Sequence, residues 1–140
     1  MIRVVLDTNV LVSGFFWGGQ PRKILDAWEK KRLQLLFSQE IMEEYTRVAH
    51  VLVRKLYACQ DVDVSAALEL LTIHGEIVSP ISLFQPVSRD PDDDKFIACA
   101  LGGRCQLIIS GDKDLLEISG YANITVLKPA HFVKNRLLTI

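Results

Sequence analysis

Short apolar runs alternate with stretches of helical spacing along this chain, and that alternation predicts its elements. Residues 2–6, apolar except for Arg3, are too short and too β-branched for a helix, so they read as a buried strand. A short helix is expected over 10–17, stopped by Gly18-Gly19, and Pro21 suits the first turn of a second helix over about 21–31 with Ile24, Leu25 and Trp28 inward. Residues 33–37 form the next strand. Ser38 then caps a long helix over about 39–54, whose apolar stripe is Ile41, Tyr45, Val48 and Leu52. Asp61 opens a further helix with Val64, Ala67, Leu68 and Leu71 inward, closed by Gly75.

Residues 76–78 suit a short strand and 80–87 a loop. The run Asp90-Pro91-Asp92-Asp93-Asp94 starts a helix through Leu101, ended by Gly102-Gly103. A strand over 107–110, a short acidic turn over 111–116, a last strand over 124–127 and a last helix over 130–138 complete the pattern. Strands and helices alternating in this way predict one α/β domain over 1–140, a three-layer α/β/α sandwich around a mostly parallel sheet of four to five strands.

Composition narrows the class without naming a function. Apolar content of 49% and charged content of 24% are ordinary for a soluble globular chain. A net charge of -1 argues against a protein that binds phosphate backbones by bulk charge, although Arg22-Lys23, Lys30-Lys31-Arg32 and Arg54-Lys55 form local basic clusters. The three cysteines, Cys59, Cys99 and Cys105, and the three histidines, His50, His74 and His131, supply no closely spaced pair for zinc, and Cys99 reads as core. Asp7 interrupts the first apolar run too early for a cleavable signal and no run reaches membrane-spanning length, which makes a reduced cytoplasmic setting the expectation.

The informative acids are those placed where an ordinary acid is costly. Asp7 ends the first strand, where it serves as a helix cap or as the first corner of an active site. On the third helix, Glu40 and Glu43 lie off the apolar stripe, with Glu43 four residues from Arg47, whereas Glu44 points along the buried face. In the acidic run, Asp90 suits an N-cap, Pro91 the N1 position and Asp93 the N3 position. Asp94 shares a face with Ile97, Ala98 and Leu101 and is less easily explained by capping. Asp112 follows a strand as Asp7 does, and Asp114 suits a cap or chemistry equally.

In an open parallel sheet the carboxyl ends of strands and the amino ends of the following helices share one edge, where ligands bind. Asp7, Glu44, Asp94 and Asp112 would all face it. One carboxylate pair at about 4 Å repels by roughly 4 kcal/mol at an effective dielectric near 20, so protonation or a cation must relieve the cluster. Oxygen donors select Mg²⁺ or Mn²⁺ over zinc, and such an ion supports phosphodiester hydrolysis. The chain holds no Ser-His-Asp set or Walker-type loop.

At these residues the sequence resembles the PIN-domain family, and within it the VapC-like toxins of prokaryotic type II toxin–antitoxin systems. The resemblance rests on VLDTNVLVSG, FSQEIMEEY, SRDPDDDKFIACAL and LIISGDKDLL, in that order and spacing. It implies a metal-dependent ribonuclease acting on single-stranded RNA, with Asp7, Glu44, Asp94 and Asp112 as the family acids holding one or two Mg²⁺ or Mn²⁺ ions. Thr8 or Asn9 and Ser110 match small polar residues that orient an acid or a water, and Asp114 matches a fifth acid of part of the family. A cognate antitoxin and a homodimer or larger homo-oligomer are the implied protein partners, with no membrane. Arg22, Lys23 and Arg47 are candidates for the RNA approach, and Phe15, Phe16 and Trp17 for a partner surface or the core. The alternatives are a PIN fold that binds RNA or protein without cutting, and a phosphotransfer domain. The second lacks its usual extra acid, because Asn9, Val5 and Leu6 fill those slots.

Overall fold

In the computed structural model, residues 1–55 and 64–139 are described. Cys59 and the expected helix start at Asp61 lie outside them. Five parallel strands form one sheet: β1 (Ile2–Leu6), β2 (Leu33–Phe37), β3 (Glu76–Ile77), β4 (Leu107–Ile109) and β5 (Thr125–Leu127), in the order β3-β2-β1-β4-β5. The seven α-helices among the described residues are α1 (Thr8–Phe16), α2 (Gly19–Glu29), α3 (Gln39–Lys55), α4 (Val64–His74), α5 (Asp94–Gly102), α6 (Lys113–Glu117) and α7 (Pro129–Asn135). The α/β sandwich expected from the alternation is therefore present, with every strand pair parallel.

The strand order dictates where a ligand site forms. From β1 the chain moves outward to β2 and β3, then crosses over to β4 and continues outward to β5. Right-handed crossovers in opposite directions put their helices on opposite faces, so α1 to α4 cover one side and α5 the other. Consistent with this, α1 packs on α2 and α3, while α5 lies across β1, β2 and β4. Strands β1 and β4 are neighbours from which the chain departs in opposite directions, and the crevice at their carboxyl ends is the topological switch point. Val5 and Leu6 pair with Ile108 and Ile109, which sets Asp7 beside Ser110.

Apart from Arg3 near the start of β1, the central strands are apolar because both faces are covered: Val4, Val5, Ile108 and Ile109 have no exposed surface. Cys99 and Cys105 are buried free thiols, and the apolar setting of Cys99 pushes its thiol up to about 12, so it is inert core. Gly14 in α1 is required by packing, since a Cβ there would lie 2.6 Å from Cδ1 of Leu25 in α2.

Element ends differ from expectation in ways with local causes. Helix α1 starts at Thr8 because Asp7 caps it directly. Helix α2 starts at Gly19, where φ values of 97° at Gly18 and 69° at Gly19 turn the chain within two residues, and it ends before Lys31, itself at φ 60°. Residues 91–93 form a separate 3₁₀ turn ahead of α5, and α7 gives way to a 3₁₀ turn over Leu137–Thr139. Within α3 the buried residues are Ile41, Tyr45 and Ala49, with Val48 and Leu52 half-buried. No helix among the described residues is long and apolar enough to cross a membrane.

Tyr45 fixes the end of β1. Its buried hydroxyl donates to the carbonyl of Leu6 over 2.5 Å, tying α3 to the residue before Asp7. Tyr45→Phe is expected to lower stability by about 1 kcal/mol, the usual net value of such a bond. The check is a denaturant midpoint that falls with its slope unchanged.

Candidate active site

Asp7 is held from three sides. Its Oδ1 accepts from the amides of Asn9 at 2.7 Å and Val10 at 3.4 Å, capping α1, while Oδ2 accepts from the hydroxyl of Ser110. Ser110 is fully buried, and its Oγ in turn accepts from the amide of Asp112 at 2.9 Å. One hydroxyl thus links the first residues beyond β1 and β4. Asp112 caps α6 through Oδ2, which accepts from the amide of Leu115 at 3.2 Å. Capping and site-building are the same act here: the peptide dipoles at each helix start favour the carboxylate and also fix its position.

Beside this pair a cavity of about 270 Å³ is lined by Asp7, Thr8, Asn9, Glu44, Arg47, Val48, Asp92, Asp93, Phe96 and Asp112. The expected acids do not all line it. Asp7, Glu44 and Asp112 do. Asp94 does not: its carboxylate accepts from the amides of Val87 at 3.1 Å and Ser88 at 2.7 Å, anchoring the end of the 80–88 loop. Its inward phase on α5 was legible, but what lies inward at that point is the loop and not the cavity. Asp93, read from sequence as a helix cap, makes no capping bond and faces Asp112 instead. The capping role falls to Asp90 alone, whose Oδ1 accepts from the amide of Asp92 at 3.0 Å.

Asp93, Asp112 and Asp114 each present an oxygen, and these oxygens lie within 4.8 Å of one another. Burial pushes the Asp93 carboxyl up to about 7, together with its hydrogen bond to Asp112 and the charges of Asp112, Asp90 and Asp7. Asp7 is also raised, by burial first, against the opposing bonds from Ser110, Asn9 and Val10 and with a further push from Asp112. Hard oxygen donors gathered this closely, one of them pushed by burial and by its acidic neighbours toward keeping its proton, suit a small divalent cation. The donor set therefore fits a hard divalent cation.

Glu44 stands in a different environment. Its Oε2 accepts from the hydroxyl of Thr8, and its Oε1 bonds to Nζ of Lys95, whose side chain is only 6% exposed. Lys95 also reaches Asp92 at 3.4 Å. Burial on its own would lower Lys95, but the bonds and charges of Glu44 and Asp92 outweigh it and the ammonium is held charged. Arg47 approaches Oε1 of Glu44 at 3.7 Å, in place of the pairing expected with Glu43. Glu43 and Glu40 are exposed, as their positions off the stripe predict. Sequence reasoning missed Lys95; the signal was a lysine set directly between the acids and the apolar stretch Phe96 to Leu101.

Arg22 pairs with Asp26 at 2.9 Å and Glu29 at 3.5 Å, and Lys23 is exposed. Phe15 packs against the core, whereas Trp17 is 59% exposed beside the half-buried Phe16. A larger cavity of about 520 Å³, between Trp28, Leu33 and Leu70, brings together no comparable set of metal-ligating groups among the described residues.

With the fold and the acids in view, comparison with known proteins defines the class: residues 3–114 match the model of the PIN domain, and the chain belongs to that family. The crystal structure of FitAcB from Neisseria gonorrhoeae is similar in fold, with a TM-score of 0.54 and 17% identity over 91% of this chain and 99% of that one. No curated protein sequence is detectably similar.

The acid cluster predicts a pH signature of the metal-free protein. Asp93 titrates near 7 when folded and near roughly 4 when unfolded, so the folded state retains a proton that the unfolded chain has lost between those values. Stability in chelator is therefore expected to fall as pH rises through that window. Asp93→Asn should flatten the profile and make the protein more heat-resistant than the parent at pH 8, as thermal melts across pH would record.

Proposed function

We propose that this chain is a Mg²⁺- or Mn²⁺-dependent endoribonuclease that hydrolyses phosphodiester bonds of single-stranded RNA, and that it is the toxin of a toxin–antitoxin pair. The observation that carries the reading is the convergence of Asp93, Asp112 and Asp114 beside Asp7 at the switch point of a PIN fold. Among the described residues no ion pair reaches any of these four acids. Membership of a family whose domains are generally nucleases supports the reaction class.

Asp93, Asp112 and Asp114 would hold the ion, with Asp7 at their side. A bound divalent ion stabilises charge on a phosphoryl transition state and makes water more acidic. The chain's own residues supply position. Ser110 ties the carboxylate of Asp7 to the backbone of Asp112, whose own carboxylate is held by its cap on the amide of Leu115. Thr8 and Lys95 hold Glu44 at the cavity wall. Arg47, its side chain 67% exposed at the same cavity, offers a cation to an incoming phosphate, and Asn9 stands exposed at the rim. A single rim cation suffices to guide a strand that a metal then neutralises, which reconciles the reading with a net charge of -1.

The toxin role and an antitoxin partner rest on the motif resemblance. The exposed Trp17 corner is an apolar surface available for the homo-oligomer that the resemblance also implies. The cytoplasm is where such a pair would act.

The test is cleavage of single-stranded RNA by the purified chain with Mg²⁺ or Mn²⁺. Activity is expected to vanish in chelator and to fall by at least about 100-fold in Asp93→Asn and Asp112→Asn, the scale of removing one group that stabilises transition-state charge. Asp94→Asn should cost less, because it loosens the 80–88 loop and leaves the acid cluster intact. Undiminished cleavage by Asp93→Asn, or equal losses in Asp93→Asn and Asp94→Asn, would contradict the assignment.

A further inference from the structure

The acids around the cavity divide into two electrostatic halves. Asp7, Asp93, Asp112 and Asp114 have no basic partner among the described residues, whereas Glu44 is bonded to a buried ammonium. Both Glu44 oxygens are already engaged, one by Lys95 and one by Thr8. Lys95 is anchored as firmly as its partner. It sits in the first turn of α5, a helix packed across β1, β2 and β4, and its side chain is 6% exposed. Its Nζ also reaches Asp92, another residue lining the cavity. A largely buried ion pair of this kind is hard to open from one side, because the ammonium left behind, its side chain 6% exposed, has little solvent to receive it.

We propose that the Lys95 ammonium is a built-in cation occupying the place a second divalent ion would take, so that the site loads one metal ion. This rests on the metal-centre reading above. Glu44 is then a positioning residue: it holds Lys95 and Thr8 at the cavity wall and does not itself ligate. A second divalent ion beside Glu44 would need that carboxylate's oxygens and would stand against an ammonium with no alternative partner except Asp92. A positive charge built into the fold costs no entropy of binding and is independent of ion concentration. The other half of the cluster, lacking any such charge, is left to recruit its cation from solution.

The test is to count Mn²⁺ bound to the full chain, by equilibrium dialysis with metal analysis, and to record its electron paramagnetic resonance spectrum. The parent protein is expected to bind one ion with an uncoupled, mononuclear signal. Lys95→Gln should bind two, with magnetic coupling between them, and Lys95→Arg, which keeps the charge, should return the count to one. Two coupled ions in the parent protein would overturn the proposal while leaving the metal-centre reading intact, as would a folded Lys95→Gln that still binds one. No bound Mn²⁺ in the parent would instead remove the metal-centre reading, and this inference with it. The parent's count and spectrum decide the question even where Lys95→Gln does not fold.

Discussion

The hydroxyl of Ser110 joins Asp7 to Asp112 across the seam between β1 and β4, and the site depends on that link. Each aspartate is also committed to a helix: Asp7 caps α1 and Asp112 caps α6. Neither can swing away from the other without uncapping a helix or breaking the Ser110 bridge. Helix α5, packed beneath the same strands, brings Asp93 against this fixed pair. Like-charge crowding is thus imposed by the backbone and paid for elsewhere, by the apolar core of the central strands and by the caps themselves. Burial first, and this crowding with it, raises the carboxyl of Asp93.

Much of this was legible in the sequence, for a definite physical reason. Strands buried on both faces are short and mostly apolar, and the runs at 2–6, 33–37 and 107–110, broken only by Arg3, Gln34 and the final Ser110, read as such strands. Acids immediately following such runs lie at the sheet's carboxyl edge by topology alone, which located Asp7 and Asp112. Glu44 stood out because an acid on an apolar stripe demands a partner. What it demanded was found in Thr8 and Lys95.

The distinction between Asp93 and Asp94 was not legible. Adjacent residues at a helix start differ by about 100° in direction, and a 3₁₀ turn ahead of α5 shifts the phase further. Deciding which of the two faces the cavity needs the course of the 80–88 loop, whose Val87 and Ser88 amides claim Asp94. Loops carry no periodic signal from which that course could be read. Lys95 escaped notice for a related reason: lysines are usually exposed, and only the tertiary contact with Glu44 makes this one internal.

The site needs a cation at one half and carries one of its own at the other. Glu44 has Lys95; the aspartates at the β1/β4 seam have none among the described residues. The most direct measurement is anomalous diffraction from a crystal of the protein grown with Mn²⁺. The account predicts a peak bounded by Asp93, Asp112 and Asp114, with Asp7 alongside and the Glu44–Lys95 pair unbroken. A peak ligated by Glu44 and Asp94, or no peak near the seam at saturating Mn²⁺, would contradict it.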